Sequence, residues 1–77
     1  MRVIKEFPFN QFIKATLFSW NGKYILKLES GNLEQTYKIS ELDVTGQAEV
    51  EEICARPEFK EMVSRIFGEM DEVWSFS

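Results

Sequence analysis

Residues that could carry out chemistry are scarce in this chain, and their spacing matches no catalytic or metal site. Among the 77 residues there is no histidine and only one cysteine, Cys54. The commonest general base near neutral pH is therefore missing, and so are the Ser-His and Cys-His pairs that activate nucleophiles. A zinc site needs more thiolate or imidazole ligands than one cysteine supplies. We therefore expect no catalytic residue, no metal site and no cofactor.

Carboxylates are the remaining candidates for acid–base chemistry or for a weak cation site. They cluster as Glu51-Glu52 and as Glu69, Asp71 and Glu72. Closely spaced acids on helices usually form a solvated surface, because charged side chains are rarely buried. The four glycines are scattered along the chain, so no phosphate-binding loop is present. The sequence therefore predicts a protein that is not an enzyme.

Charge divides the chain into two unequal halves. Residues 1–40 hold six basic and three acidic residues, a balance of +3, and residues 41–77 hold three basic and ten acidic residues, a balance of −7. The sum, +3 − 7, is the net charge of −4. Such a layout either keeps both halves solvated or forms a bipolar surface that orients partners.

Length and composition predict one folded domain over residues 1–77. The apolar fraction is 44%, with seven Phe, two Trp and two Tyr, which is enough for a small core. A single cysteine cannot form an intramolecular disulfide, and small secreted domains usually need such bonds. The N-terminus lacks the apolar run of a signal peptide, and no apolar stretch approaches the roughly 20 residues that span a membrane. We therefore expect a cytoplasmic protein without a membrane segment.

The clearest local signal is Asn21-Gly22, which lies between two alternating segments. Asn-Gly predicts a type I′ hairpin turn between a strand over Phe12–Ser19 and a strand that begins at Lys23. This turn pairs Trp20 with Lys23, and counting outwards sorts the side chains onto two faces. One face is an apolar row of Ile13, Ala15, Leu17, Tyr24, Leu26 and Leu28. The other, which we call the outer face, carries Lys14, Thr16, Phe18, Trp20, Lys23, Ile25, Lys27 and Glu29.

A second turn over Ser30-Gly31-Asn32 leads into a further strand, and two registers remain open. A Gly31-Asn32 loop would suit a type II′ turn but would set Glu29 opposite Glu34. A Ser30-Gly31 loop would instead set Lys27 opposite Glu34, which is the better side-chain pair. Both registers add the alternate residues Glu34, Thr36 and Lys38 to the outer face.

The N-terminal segment and the link after the last strand are harder to interpret. Arg2–Phe7 alternates and predicts an edge strand that Pro8 ends, with Val3, Lys5 and Phe7 on one side. After Ile39, we expect Leu42 and Val44 to anchor the connection in the core.

Two helices are predicted in the C-terminal half. Thr45 or Asp43 would cap a short helix over Gln47–Ala55, and Pro57 suits the first turn of a longer one. The longer helix has a single apolar stripe with a period of three and four residues. That stripe consists of Phe59, Met62, Val63, Ile66, Phe67, Met70 and Val73.

An amphipathic sheet and an amphipathic helix each have one face to bury, so packing them on each other is the simplest arrangement. We predict an α+β fold of two layers. One layer is an antiparallel meander of three strands, or four if Arg2–Phe7 joins it. The other is the C-terminal pair of helices, one short and one long.

The outer face is the main candidate site. Phe18, Trp20 and Ile25 would form an interaction surface for a protein partner or a second copy of the chain, and aromatic residues in the tail, Trp74 and Phe76, could add to it. Alternatively, the N-terminal phenylalanines cover this surface. A different hypothesis is weak nucleic-acid or anion binding through Lys14, Lys23, Lys27 and Lys38. The acidic net charge disfavours a nucleic-acid partner.

Overall fold

The first hairpin has the register that its turn predicts. In the computed structural model, which describes residues 1–75 and the side chains of residues 1–73, strands β2 (Lys14–Trp20) and β3 (Lys23–Ser30) flank Asn21-Gly22. Asn21 and Gly22 have φ angles of 52° and 76°, as a type I′ turn requires at both central positions. Trp20 pairs with Lys23 and Leu17 with Leu26. The predicted register and the two faces that follow from it are confirmed.

The second hairpin takes the Gly31-Asn32 loop. Strand β4 (Leu33–Ser40) pairs antiparallel with β3, and Ser30 pairs with Leu33. Gly31 has a φ of 59°, as expected at the first central position of a type II′ turn. Glu29 therefore lies opposite Glu34. Lys27 offsets this repulsion, because its Nζ lies 3.6 Å from Oε1 of Glu29 and 3.5 Å from Oε1 of Glu34.

The N-terminal segment joins the sheet as strand β1 (Arg2–Pro8), so the meander has four strands in the order β1-β2-β3-β4. Val3 pairs with Phe18 and Lys5 with Leu17, which leaves Ile4 as the extra residue of a β-bulge. Strict alternation over this segment was therefore a wrong prediction. Val3 joins the outer face, whereas Lys5 lies on the helix side.

Two helices follow the sheet after a 3₁₀ turn at Glu41–Asp43: α1 (Gln47–Ala55) and α2 (Pro57–Ser75). These elements confirm the predicted α+β fold with a short and a long C-terminal helix. The N-terminus of α1 differs from the prediction, because Gly46 is the capping residue. Glu49 Oε2 accepts hydrogen bonds from the amide and hydroxyl of Thr45, at 2.6 and 2.8 Å, so neither Thr45 nor Asp43 caps α1 with its side chain. None of the helices in the described part of the chain is long and apolar enough to cross a membrane.

Both helices pack on the same face of the sheet. The core cluster is formed by Phe9, Ile13, Ala15, Leu17, Leu26, Leu28, Val50, Cys54, Val63 and Phe67. The predicted stripe of α2 is only partly buried, because Met62 and Val73 are exposed. Of the two predicted anchors after β4, Val44 packs against the core, but Leu42 is 96% exposed and the prediction for it was wrong.

The link between β1 and β2 is a tight loop that delivers an aromatic ring to the core. Asn10 Oδ1 accepts hydrogen bonds from the amides of Phe12 and Ile13, at 2.7 and 2.9 Å, and the amide of Phe9 donates to the carbonyl of Ile13 at 2.9 Å. Because this loop occupies Phe12 and Ile13, β2 begins at Lys14 rather than at Phe12. Phe9 is 2% exposed and meets the Phe59 ring edge-on at 5.8 Å, whereas Phe12 is 78% exposed.

One buried polar side chain connects the edge strand β4 to α2. Gln35 Nε2 donates to the carbonyl of Val63 at 3.0 Å, and Gln35 Oε1 accepts from the hydroxyl of Tyr37. A buried amide is tolerated when its donors and acceptors are satisfied in this way. The contact places α2 directly above β4.

Phe9 and Phe12 form a matched pair for testing the core. Phe9→Ala should lower the free energy of unfolding by about 3–5 kcal/mol, because it removes a buried ring and leaves a cavity. Phe12→Ala should change it by no more than about 0.5 kcal/mol, since the ring is exposed. Urea denaturation followed by circular dichroism measures both values. Equal effects of the two substitutions would contradict the placement of Phe9 in the core.

Candidate functional site

The outer face of the sheet is ordered in rows of side chains that cross the strands. Residues in neighbouring strands that pair directly have adjacent side chains, roughly 4.5–5.5 Å apart at Cβ. The first row is Val3, Phe18, Ile25 and Lys38; the second is Glu6, Thr16, Lys27 and Thr36; the third is Pro8, Lys14, Glu29 and Glu34. Trp20 and Lys23 lie beyond the first row. The rows divide the outer face into an apolar end, formed by Val3, Phe18, Trp20 and Ile25, and a charged end.

The apolar end combines exposed and buried side chains. Trp20 is 50% exposed and Val3 is similarly open, while Phe18 is half-buried. Ile25 is only 5% exposed although it is no part of the core cluster, because its neighbours in the row enclose it. Ile25 therefore supports the predicted interaction surface without offering contact area itself. Val3 was missed from the sequence, since the bulge that turns it outward leaves no local signal.

Ion pairs neutralise much of the charged end. Lys14 Nζ lies 3.2 Å from Oε1 of Glu6, and Lys27 lies between Glu29 and Glu34. Such exposed pairs contribute at most about 1 kcal/mol each to stability. The pairs make the surface potential less positive, because two of the four lysines proposed to bind anions, Lys14 and Lys27, already have carboxylate neighbours.

Lys23 and Lys38 differ from the other two lysines. Both are exposed, and neither forms an ion pair within the described residues. Lys23 is paired with Trp20, and Lys38 is paired with Ile25. The apolar end is therefore bordered by two positive charges that no described carboxylate neutralises.

The N-terminal phenylalanines do not cover the apolar end. Strand β1 extends the sheet at its edge, Phe7 packs against the core, and Phe9 lies within it. Phe12 is exposed in the loop before β2. Within residues 1–73, no segment lies over Trp20 and Phe18. Of the aromatic residues expected to add to the surface, Phe76 lies outside the described residues, as does the side chain of Trp74.

Cys54 is a core residue and is poorly suited to react. Its side chain lies on α1 and is buried within the core cluster. Burial and, to a smaller extent, the nearby carboxylate of Glu51 raise the pKa of the thiol to about 11, only partly opposed by Lys60. Since the thiolate is the nucleophile, this thiol is inert at neutral pH.

The acidic side chains of the described residues do not come together at one site. The hydrogen bond from Lys5 Nζ, at 2.6 Å, lowers the pKa of the Glu51 carboxyl below its ordinary value, and Gln47 lowers it further. A groove of about 780 Å³ lies between the second hairpin turn and α2, and Asp71 is the one charged residue among those that line it. In the described part of the chain, no three potential ligands meet in a way that could hold a metal ion.

The burial of Cys54 can be tested by thiol labelling. The native protein at pH 8 should react with iodoacetamide far more slowly than after unfolding in urea, because the thiol is buried and protonated. A matched control carries Cys54→Ala together with Ser64→Cys, which moves the thiol to an exposed position on α2. Equal labelling rates for the two native proteins would contradict the burial of Cys54.

Neither the protein-family models, nor the curated proteins, nor the solved structures give a match to this chain.

Proposed function

We propose that the protein is a small, non-catalytic interaction module that binds another protein through the apolar end of the outer face. The observation that carries the proposal is Trp20, a tryptophan at the end of β2 that is half exposed with no described segment over it. Tryptophan is the residue type most enriched among the dominant contacts of interfaces, because it offers a large rigid area at a small entropic cost.

The charges around Trp20 indicate the kind of partner. Lys23 and Lys38 border the apolar end, and the ion pairs of the charged end leave little further positive potential. A partner with an apolar spot rimmed by carboxylates would complement this surface. Charge complementarity of this kind mainly accelerates association and selects the partner. We place this interaction in the cytoplasm, where a lone cysteine stays reduced.

Anion or nucleic-acid binding is the alternative function, and we rank it second. Of its four lysines, Lys14 and Lys27 are paired with carboxylates, and the net charge of the protein is −4. A polyanion would gain few counterion-releasing contacts on such a face.

Trp20→Ser tests the proposal. Immobilised protein should retain a partner from a lysate of its native cell, and Trp20→Ser should reduce the retained amount by at least about tenfold, as loss of a dominant aromatic contact does. Phe12→Ser is the matched control, because it removes an exposed aromatic residue outside this surface. Retention by the Trp20→Ser protein equal to that by the Phe12→Ser protein would contradict the proposal.

A second measurement separates the two functions. A fluorescent single-stranded oligonucleotide at low salt should show no binding to the wild-type protein. Binding that falls steeply with added salt and is lost in the double variant Lys23→Glu, Lys38→Glu would favour the alternative.

A further inference from the structure

The two edges of the sheet differ in how far they can accept another strand. At β1, the bulge at Ile4 and the proline at position 8 interrupt the row of backbone donors and acceptors. Interruptions of this kind are how natural sheets block edge-to-edge pairing. Strand β4 has neither: its register with β3 runs without a shift from Leu33 to Ser40. Strand β4 therefore offers a regular edge.

The register shows which backbone groups of β4 point outward. Residues that flank a two-residue turn exchange hydrogen bonds, and bonded and non-bonded pairs then alternate along the ladder. Leu33 is thus bonded to β3, as are Gln35, Tyr37 and Ile39. The same alternation continues to Glu41, whose amide donates to the carbonyl of Gly22 in the first turn at 3.0 Å. The amides and carbonyls of Glu34, Thr36 and Lys38 consequently point away from β3. Within residues 1–75, no loop or helix backbone bonds to them.

The side chains of these three residues complement a second copy of the same strand. In an antiparallel pair of β4 strands with the two-fold axis at Thr36, each Glu34 lies opposite Lys38 of the other copy. Thr36 then faces its own equivalent, and threonine pairs of this kind are favourable. The outward amides of Glu34, Thr36 and Lys38 all take part in the hydrogen-bonded pairs of this register.

Neighbouring registers lose the complementarity. Sliding one β4 strand along the other by two residues keeps the outward amides hydrogen-bonded. It sets Glu34 opposite Thr36 or Ser40, so no ion pair forms. Sliding it by two more residues sets Glu34 opposite Glu34 or Lys38 opposite Lys38, and both pairs are repulsive. Within one copy, Glu34 has only exposed contacts, with Lys27 at 3.5 Å and with the hydroxyl of Thr36 at 3.0 Å. Such contacts yield readily to a partner.

Helix α2 adds an apolar flank beside this edge. The bond from Gln35 to the carbonyl of Val63 sets α2 above β4, and Lys60 reaches towards β1 to donate to the carbonyl of Phe9 at 3.0 Å. Met62 and Ile66 lie on the opposite flank of the helix, and Met62 is exposed. This flank therefore lies on the side of the open β4 edge. A second copy that pairs at β4 would bring the same flank of its own α2 alongside it.

We propose that the protein self-associates through β4, as a two-fold dimer in which Glu34 of each copy pairs with Lys38 of the other and the two sheets become continuous. The interface uses the strand edge and the flank of α2, and it shares only Lys38 with the border of the apolar end. Trp20, Phe18 and Val3 lie outside it, so Trp20→Ser tests the protein partner alone and Thr36→Pro tests the dimer alone.

Sedimentation equilibrium over about 10 μM to 1 mM, where small interfaces associate, tests the proposal. The wild-type protein should shift from monomer to dimer across this range. Glu34→Lys and Lys38→Glu should each weaken the dimer by at least about tenfold, because each converts both ion pairs into repulsive pairs. Glu6→Lys is the matched control, since it makes the same charge change on the outer face at the other edge and should leave the dimer intact.

Mixing the two weakened variants provides the sharpest result. One Glu34→Lys chain and one Lys38→Glu chain together restore two attractive pairs, so the mixture should form a heterodimer.

Thr36→Pro tests the backbone independently of charge. The Thr36 amide points away from β3, so the fold should survive the substitution while the dimer is lost. A wild-type protein that stays monomeric at 1 mM would overturn the proposal. So would a mixture that fails to associate, or a folded Thr36→Pro protein that still forms dimers.

Discussion

The turn at Asn21-Gly22 is the constraint on which the rest of the structure depends. Positive φ angles at both residues close a two-residue loop whose twist matches that of the flanking strands. Because side chains alternate along a strand, this one turn decides which residues of β2 and β3 face the helices and which face outward. A slip of one residue would bury lysines and expose Leu17 and Leu26. The core, the outer face and the position of α2 all follow from this register.

Features with a strong motif or a regular period could be predicted from the sequence, and those without such a signal could not. The hairpin followed from one dipeptide, and α2 followed from the period of its apolar residues. Phe9 and Phe12 look alike in the sequence, yet only Phe9 reaches the core, because the loop around Asn10 turns it inward. The second turn was ambiguous because pairing rules compare residues directly opposite, whereas Lys27 stabilises the Glu29–Glu34 pair from the neighbouring position.

The candidate surface was also only partly predictable from the sequence. Alternation was enough to place Phe18, Trp20 and Ile25 on one face, but not to say how much of each side chain is open. Ile25 is enclosed by its neighbours, while the bulge in β1 brings Val3 to the surface in its place. A sequence pattern assigns a residue to a face, whereas the area offered to a partner depends on every neighbour in the cross-strand row.

The irregularity of β1 would limit how far the proposed assembly could grow. A sheet with two regular edges could add copies at both and grow into a filament, as cross-β structures do. Here the bulge and the proline leave one edge without a continuous row of donors and acceptors. Strand addition at β4 would therefore use up the one regular edge of each copy. Growth would stop at a closed pair, so the irregular edge of β1 would terminate polymerisation.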